Sequence, residues 1–466
     1  MPWKIAAEVL IWGSFSLPSG AQALDGLWRS EGYGYVFEVN NKILKAFEVT
    51  ERTCVPGFTA KRQSSSVPDR EATFRTADGD VYFVRAGATG DHRRLHAEGS
   101  VSDMRIDRLP EMPAICNRPT GNTPLNNFEV FTRTWAENYI SFELKHENWE
   151  QTIAGRRSRV TPGTTSAELF EIMKSMIKPF GDAHTSIWAP QLKLGFHGIR
   201  PGTDRVVIDL DGTDDINGKF QKSGMPKILS VTDRNYLHGP LLQFCNGQLH
   251  YGHIDSTTGY LRILSFAEYA KQGGFDGGLA VLEAALDKIF SEPMLHALII
   301  DVRINFGGYD PYGLVIASRL ATGEYLAYTK EARSDPADHD KWTPGDASIV
   351  RPSSRPGFRG PVVELTGPLT ISGGETFTQA IMGRTPRITR IGENTQGVFS
   401  DVLVRQLPNG WHFDLPNEVY LTEDGRTFDG TGIPPDIPVR VFAAEDLASH
   451  KDPALERALG VLAQTR

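Results

Sequence analysis

Leu298-Ile299-Ile300-Asp301-Val302-Arg303-Ile304-Asn305-Phe306-Gly307-Gly308 is the stretch on which the reading of this chain turns. Its first residues form a nearly continuous apolar run, the mark of a strand buried on both faces. Two adjacent glycines close it. Without Cβ atoms they suit either a plain tight turn or a loop whose N–H groups face a ligand. Outward from this stretch, Tyr260-Leu261-Arg262-Ile263-Leu264 and Pro361-Val362-Val363-Glu364-Leu365 read as further strands. Between them, Leu279, Leu282, Ala285 and Ile289 recur at helical spacing. Strands alternating with helices predict an α/β core over residues 259–445.

The strand ending at Leu365 leads through a turn to Ser372-Gly373-Gly374-Glu375, where a helix opens. Ser-x-x-Glu at a helix start is a capping box. The same placement exposes a serine hydroxyl beside unpaired helix-start N–H groups, which can stabilise an oxyanion. The local pattern leaves both readings open. Further along come Ile391-Gly392-Glu393-Asn394-Thr395-Gln396-Gly397 and Gly430-Thr431-Gly432-Ile433-Pro434-Pro435-Asp436-Ile437-Pro438-Val439.

In that order the segments D-x-R-x-N-x-G-G, S-x-x-E, G-x-x-T-x-G and G-x-G-x-x-P-D-x-x-V resemble peptidase family S41, the C-terminal processing and tricorn-type peptidases. The likeness covers roughly residues 125–440 and is poor over 189–245. It implies a multidomain α/β protein whose core is like that of ClpP and crotonase, with Ser372 as nucleophile. The processing branch carries a lysine directly after G-x-x-T-x-G; Val398 stands there. The tricorn-like branch takes its base from a D-x-H-T segment, matched by Asp182-Ala183-His184-Thr185. The resemblance therefore implies His184 as general base. Two departures stand out. Ala183 replaces a serine of that branch, and Asp429 replaces a glutamate as the acid expected to orient His184, with an ordinary turn residue as its alternative. The same resemblance implies an oxyanion hole from Gly373 and one of Gly307 and Gly308. It also implies that Asp301, Arg303 and Asn305 shape the glycine loop and that Glu375 caps the helix. It implies a serine peptidase acting on a peptide or protein, without cofactor or metal. The alternative is a catalytically inactive ligand- or peptide-binding protein on the same fold.

The chain has 466 residues, enough for several domains. Its formal net charge of -8 lacks any basic stripe and argues against a nucleic-acid partner. Lys4, an apolar segment from Ile5 to Leu17 and Ala21-Gln22-Ala23 predict an export signal over 1–23, hence a periplasmic or extracellular protein. No later stretch has the roughly 20 apolar residues of a membrane span. Residues 24–116 alternate as short strands of a small β domain, as in Tyr33–Val39 and Ile43–Val49. Phe128, Phe131, Trp135 and Tyr139 open a helical domain over 124–188. Residues 189–258 are expected to be a reduced PDZ-like or linker unit, and 446–466 a C-terminal helix. Cys54 and Cys116 either pair as a disulfide, leaving Cys245 buried, or all three stay free. His250 and His253 are spaced to point to opposite faces of a strand, so no metal site is expected there. Oligomerisation is left open.

Overall fold

The computed structural model describes residues 24–64, 72–211 and 216–464; the expected export signal lies outside them. The first unit is a closed eight-stranded barrel in simple up-and-down order. Its strands are β1 (Gly26–Ser30), β2 (Tyr35–Val39), β3 (Ile43–Val49), β4 (Cys54–Gln63), β5 (Ala72–Thr76), β6 (Val81–Ala86), β7 (His92–Ala97) and β8 (Met104–Leu109). β8 returns to pair with β1, with Leu109 opposite Leu27. Strand alternation turns Trp28, Phe37, Phe74, Val84 and Ile106 inward, and closure removes the exposed edges that an open sheet would carry. A disulfide joins Cys54 to Cys116 just past β8.

A helical unit follows, with α1 (Pro124–Asn138), α2 (Trp149–Arg157) and α3 (Ser166–Ile177). Thr165 and Glu168 form a reciprocal capping box at the start of α3. The predicted apolar face of α1 buries Phe128, Phe131, Trp135 and Tyr139. Trp135, Tyr139, Phe142, Trp149 and Phe180 pile together with ring centroids 4.7–5.8 Å apart. Two short strands come next, β9 (Ser186–Ala189) and β10 (Leu194–His197).

Residues 189–258 do not form the separate linker unit expected of them. After α4 (Arg205–Asp211) and α5 (Met225–Asn235), β11 (His238–Phe244) and β12 (Leu249–His253) are already strands of the core sheet. The core continues with β13 (Thr258–Ile263), α6 (Gly274–Phe290), β14 (Ala297–Asp301), β15 (Ile304–Asn305), α7 (Asp310–Leu320), β16 (Tyr325–Ala332) and β17 (Asp346–Val350). Then come β18 (Val362–Thr366), β19 (Leu369–Thr370), α8 (Gly373–Ile381), β20 (Thr389–Gly392), β21 (Val402–Gln406), β22 (His412–Pro416), β23 (Glu418–Leu421) and β24 (Ile437–Pro438). α9 (Ala444–Ala448) and α10 (Pro453–Ala463) stand where one C-terminal helix was expected.

Seven strands in the order β11-β12-β13-β14-β18-β20-β24 make the main sheet, parallel from β13 onward. Every residue of β14 and β18 is buried, as the continuous apolar runs require. The hairpin β21–β22 leaves this core. It joins β9 and β10 in a four-stranded sheet, β10-β9-β22-β21, against the helical unit. Among the described residues no helix is long and apolar enough to cross a membrane.

Candidate active site

Two short strands place the serine beside the glycines. β15 and β19 pair in parallel, Ile304 opposite Leu369 and Asn305 opposite Thr370. The chain then turns sharply at Ser372, whose φ of 54° is unusual for a residue with a Cβ. A Cβ added at Gly307 would lie 2.7 Å from the Ser372 Cβ, and one at Gly373 would lie 3.0 Å from the Gly308 nitrogen. The two glycine segments are thus packed at van der Waals limits around the serine.

The amides there are not equivalent. Gly307 donates its N–H to the Asn305 Oδ1 at 2.9 Å, so it is not a free oxyanion donor. No hydrogen bond engages the amides of Gly308 and Gly373 among the described residues. Those two, one from each motif, are close neighbours, since a Cβ at Gly373 would lie 3.0 Å from the Gly308 nitrogen. Asn305 holds the loop from its other end by donating to the Ile263 carbonyl. Arg303 is fully buried in contacts to both carboxylate oxygens of Asp301 and of Asp452, stacked on Phe442. Asp301 and Arg303 therefore brace the loop from behind.

Glu375 does more than cap α8. Its carboxylate accepts the N–H of Ser372 at 3.3 Å, of Gly397 at 2.6 Å and of Val398 at 2.8 Å. Burial pushes its pKa up to about 8, against the pull of Thr395 and the two loop amides. The segment from Thr395 to Asp401 thus hangs on the serine's helix. Gly430 donates to the Gly397 carbonyl at 2.8 Å, which docks the closing glycine motif on the same segment.

His184 sits in the loop between Phe180 and β9. Asp182 Oδ1 accepts the backbone N–H of His184 at 2.8 Å, and the Thr185 hydroxyl closes the turn on the Asp182 carbonyl. Burial lowers the pKa of His184, with Asp182 and Asp401 pulling the other way. Its Nδ1 is buried and has no hydrogen-bond partner among the described residues. The orienting contact expected from Asp429 is not formed. Asp429 Oδ1 instead accepts the Phe399 N–H at 2.9 Å, and Oδ2 the Thr427 hydroxyl at 3.3 Å. Burial raises its pKa to about 7, with the nearby Asp182 adding to the shift.

Residues 257–439 match the model of peptidase family S41. They take in the glycine loop, the serine, the Thr395–Asp401 segment and the closing motif. Over these residues the chain is similar to peptidase family S41. No curated protein matches the chain. Among solved structures, a "putative peptidase" from Parabacteroides merdae is 24% identical with a TM-score of 0.60, and the match covers 73% of this chain and 97% of that one. Mature CPAF complexed with lactacystin is 12% identical with a TM-score of 0.54, covering 74% and 98%. At these identities the likeness is one of fold.

A buried polar chain that no sequence motif marks runs behind the serine's helix. Thr376, one turn beyond Ser372, donates to Asp310 Oδ1 at 2.6 Å, and Tyr420 donates to Asp310 Oδ2 at 2.7 Å and Asp401 Oδ1 at 3.2 Å. Lys330 bonds Asp401 and lies 3.0 Å from Glu418, which accepts the Tyr33 hydroxyl of the barrel at 2.6 Å. Burial alone would lower the Lys330 pKa; its carboxylate neighbours raise it well above the ordinary lysine value. Nothing local marks these residues, since Lys330 and Asp401 are 71 positions apart.

Proposed function

We propose that the chain is an exported serine peptidase of the Ser–His type. Ser372 attacks the scissile carbonyl, His184 takes its proton and returns it to the leaving amine, and Gly308 and Gly373 donate to the oxyanion. The observation that carries this reading is Ser372 at the start of α8, in a left-handed backbone conformation, flanked by two unengaged amides from different motifs. Val398 occupies the place of a processing-branch lysine, and its amide is bound to Glu375. Lys330 is held charged by its carboxylate neighbours, so it is unsuited to take a proton. A lowered pKa keeps His184 neutral and able to act as base. Asp182 is the acid that holds the His184 loop; Asp429 acts on the loop that carries Phe399.

A second reading, a non-catalytic peptide-binding protein, draws support from the unpartnered Nδ1 of His184 and the engagement of Asp429 elsewhere. A fluorophosphonate probe separates the two. Labelling of wild type that is lost in both Ser372→Ala and His184→Ala supports the peptidase. A folded wild type that is not labelled and does not cleave a denatured protein supports the binding protein.

A further inference from the structure

A cavity of about 250 Å³ lies where the barrel meets β21 and β23 of the S41-like half. Its barrel wall is aromatic. Tyr82 stacks on Phe58 at 4.7 Å, Tyr35 meets Phe58 edge-on at 6.2 Å, and Phe37 stacks behind Tyr35 at 5.4 Å. Its other wall is the start of β21, with Val402 and Val404 exposed at 39% and 54%, beside the Asp401 carboxylate, exposed at 47%. No lysine, arginine or histidine lines it among the described residues.

That lining selects by charge. The Lys330 ammonium is 2% exposed and sits behind the two carboxylates Asp401 and Glu418. Burial raises the Glu418 pKa while Lys330 pulls it down, so the accessible acid of this wall is Asp401. Aromatic faces favour a cation that brings an apolar stem, and an accessible carboxylate completes the fit. An anion would face the Asp401 carboxylate, and Arg405, stacked on the Tyr35 ring at 4.2 Å, leaves Phe58 and Tyr82 as the aromatic surface for a guest cation's stem. Asp401 is also one of the acids that oppose the burial-lowered pKa of His184. Through Tyr420 and Asp310 the same carboxylate is tied to Thr376 on the serine's helix.

The geometry points to this barrel-mouth cavity as a specificity pocket for a lysine or arginine side chain of a bound peptide, its stem against Phe58 and Tyr82 and its charge on Asp401. That the guest belongs to a peptide rests on the peptidase reading; the charge preference does not.

Binding, rather than turnover, tests it, in Ser372→Ala protein at pH 8 by isothermal titration. The ligands are end-blocked alanine pentapeptides with lysine, norleucine or glutamate at the centre. The lysine peptide is expected to bind at least tenfold more tightly than the norleucine peptide, and the glutamate peptide not measurably. Asp401→Asn should abolish the difference. Because that change also disturbs Lys330, Ala97→Trp, which fills the barrel side of the cavity, is measured beside it, with circular dichroism confirming the fold. Norleucine binding as well as lysine in Ser372→Ala protein would overturn the proposal. So would a lysine preference that survives Ala97→Trp. Since no cleavage is read, an inactive serine leaves the outcome intact.

Discussion

The carboxylate of Glu375 accepts the N–H of Gly397 at 2.6 Å, so the helix that Ser372 opens and the segment that carries Asp401 share one buried acid. Asp429 reaches the same segment from its far side through the Phe399 N–H. Ser372, the closing motif and the strand leading into the helical unit are thus fixed by two carboxylates rather than by apolar packing alone.

Both acids, with Glu364, make stability depend on pH. Burial raises Glu375 to about 8 and Glu364 and Asp429 to about 7, against roughly 4 in an unfolded chain. Between those values the folded state holds protons that the unfolded state has released. The stabilisation is therefore complete below about pH 4 and lost as pH rises through 7 to 8. The urea midpoint should fall between pH 5 and pH 8.5, and fall less in Glu375→Gln. A midpoint that climbs over this range would contradict the assignment.

The activity profile should move the other way. His184 must be neutral to take a proton, and burial lowers its pKa below the ordinary value. The acid limb of kcat/KM is expected to have its midpoint below about 6.5, the unperturbed histidine value. An acid limb centred above 7 would remove His184 from the role.

Two acids near the histidine loop should behave differently. Asp182 accepts the backbone N–H of His184, so Asp182→Ala loosens the loop, lets the imidazole drift with it and should cost roughly 100-fold in kcat/KM, the scale of an ångström-level misplacement. Asp429→Asn keeps an oxygen for the Phe399 N–H and should cost less than about tenfold, with the larger effect on the thermal midpoint. The reverse ranking in steady-state kinetics would restore Asp429 as the orienting acid.

Gly308 offers a sharper test of the oxyanion site. Its φ is 127°, and a Cβ there would lie 2.4 Å from the Phe266 carbonyl carbon, a backbone atom that cannot swing aside. Gly308→Ala should shift the amide and lower kcat by about 100- to 1,000-fold. Gly323→Ala, where nothing lies within 4 Å, serves as the control for a glycine lost from the surface. Equal activity in the two variants would exclude the Gly308 amide.

Much of this was legible in the residues. The apolar runs of β14 and β18 announced fully buried parallel strands. The spacing of Phe128, Phe131, Trp135 and Tyr139 announced α1, and the ordered motifs brought Ser372 to the glycine loop. What stayed hidden depends on contacts distant in the chain. β11 and β12 read as a linker because their identity as strands comes from pairing with β13. Asn305 removes Gly307 from the oxyanion site by a side-chain contact that no motif spells out. The Lys330–Asp401–Glu418 cluster is assembled from three strands or strand ends and the barrel's Tyr33, with no pattern in any one of them.

The excursion of β21–β22 has a consequence for how such a protein is cut and recombined. The sheet beside the helical unit takes two strands from residues 186–197 and two from 402–416. A fragment ending at residue 258 would carry the histidine on a half-built sheet, with Ile187 stripped of its cross-strand partner Phe413 and Ser186 of Asp414. The two halves are therefore not modules to be exchanged at a linker. Transplanting the histidine segment into a relative means moving the distant hairpin with it, as a single inheritance unit written in two places.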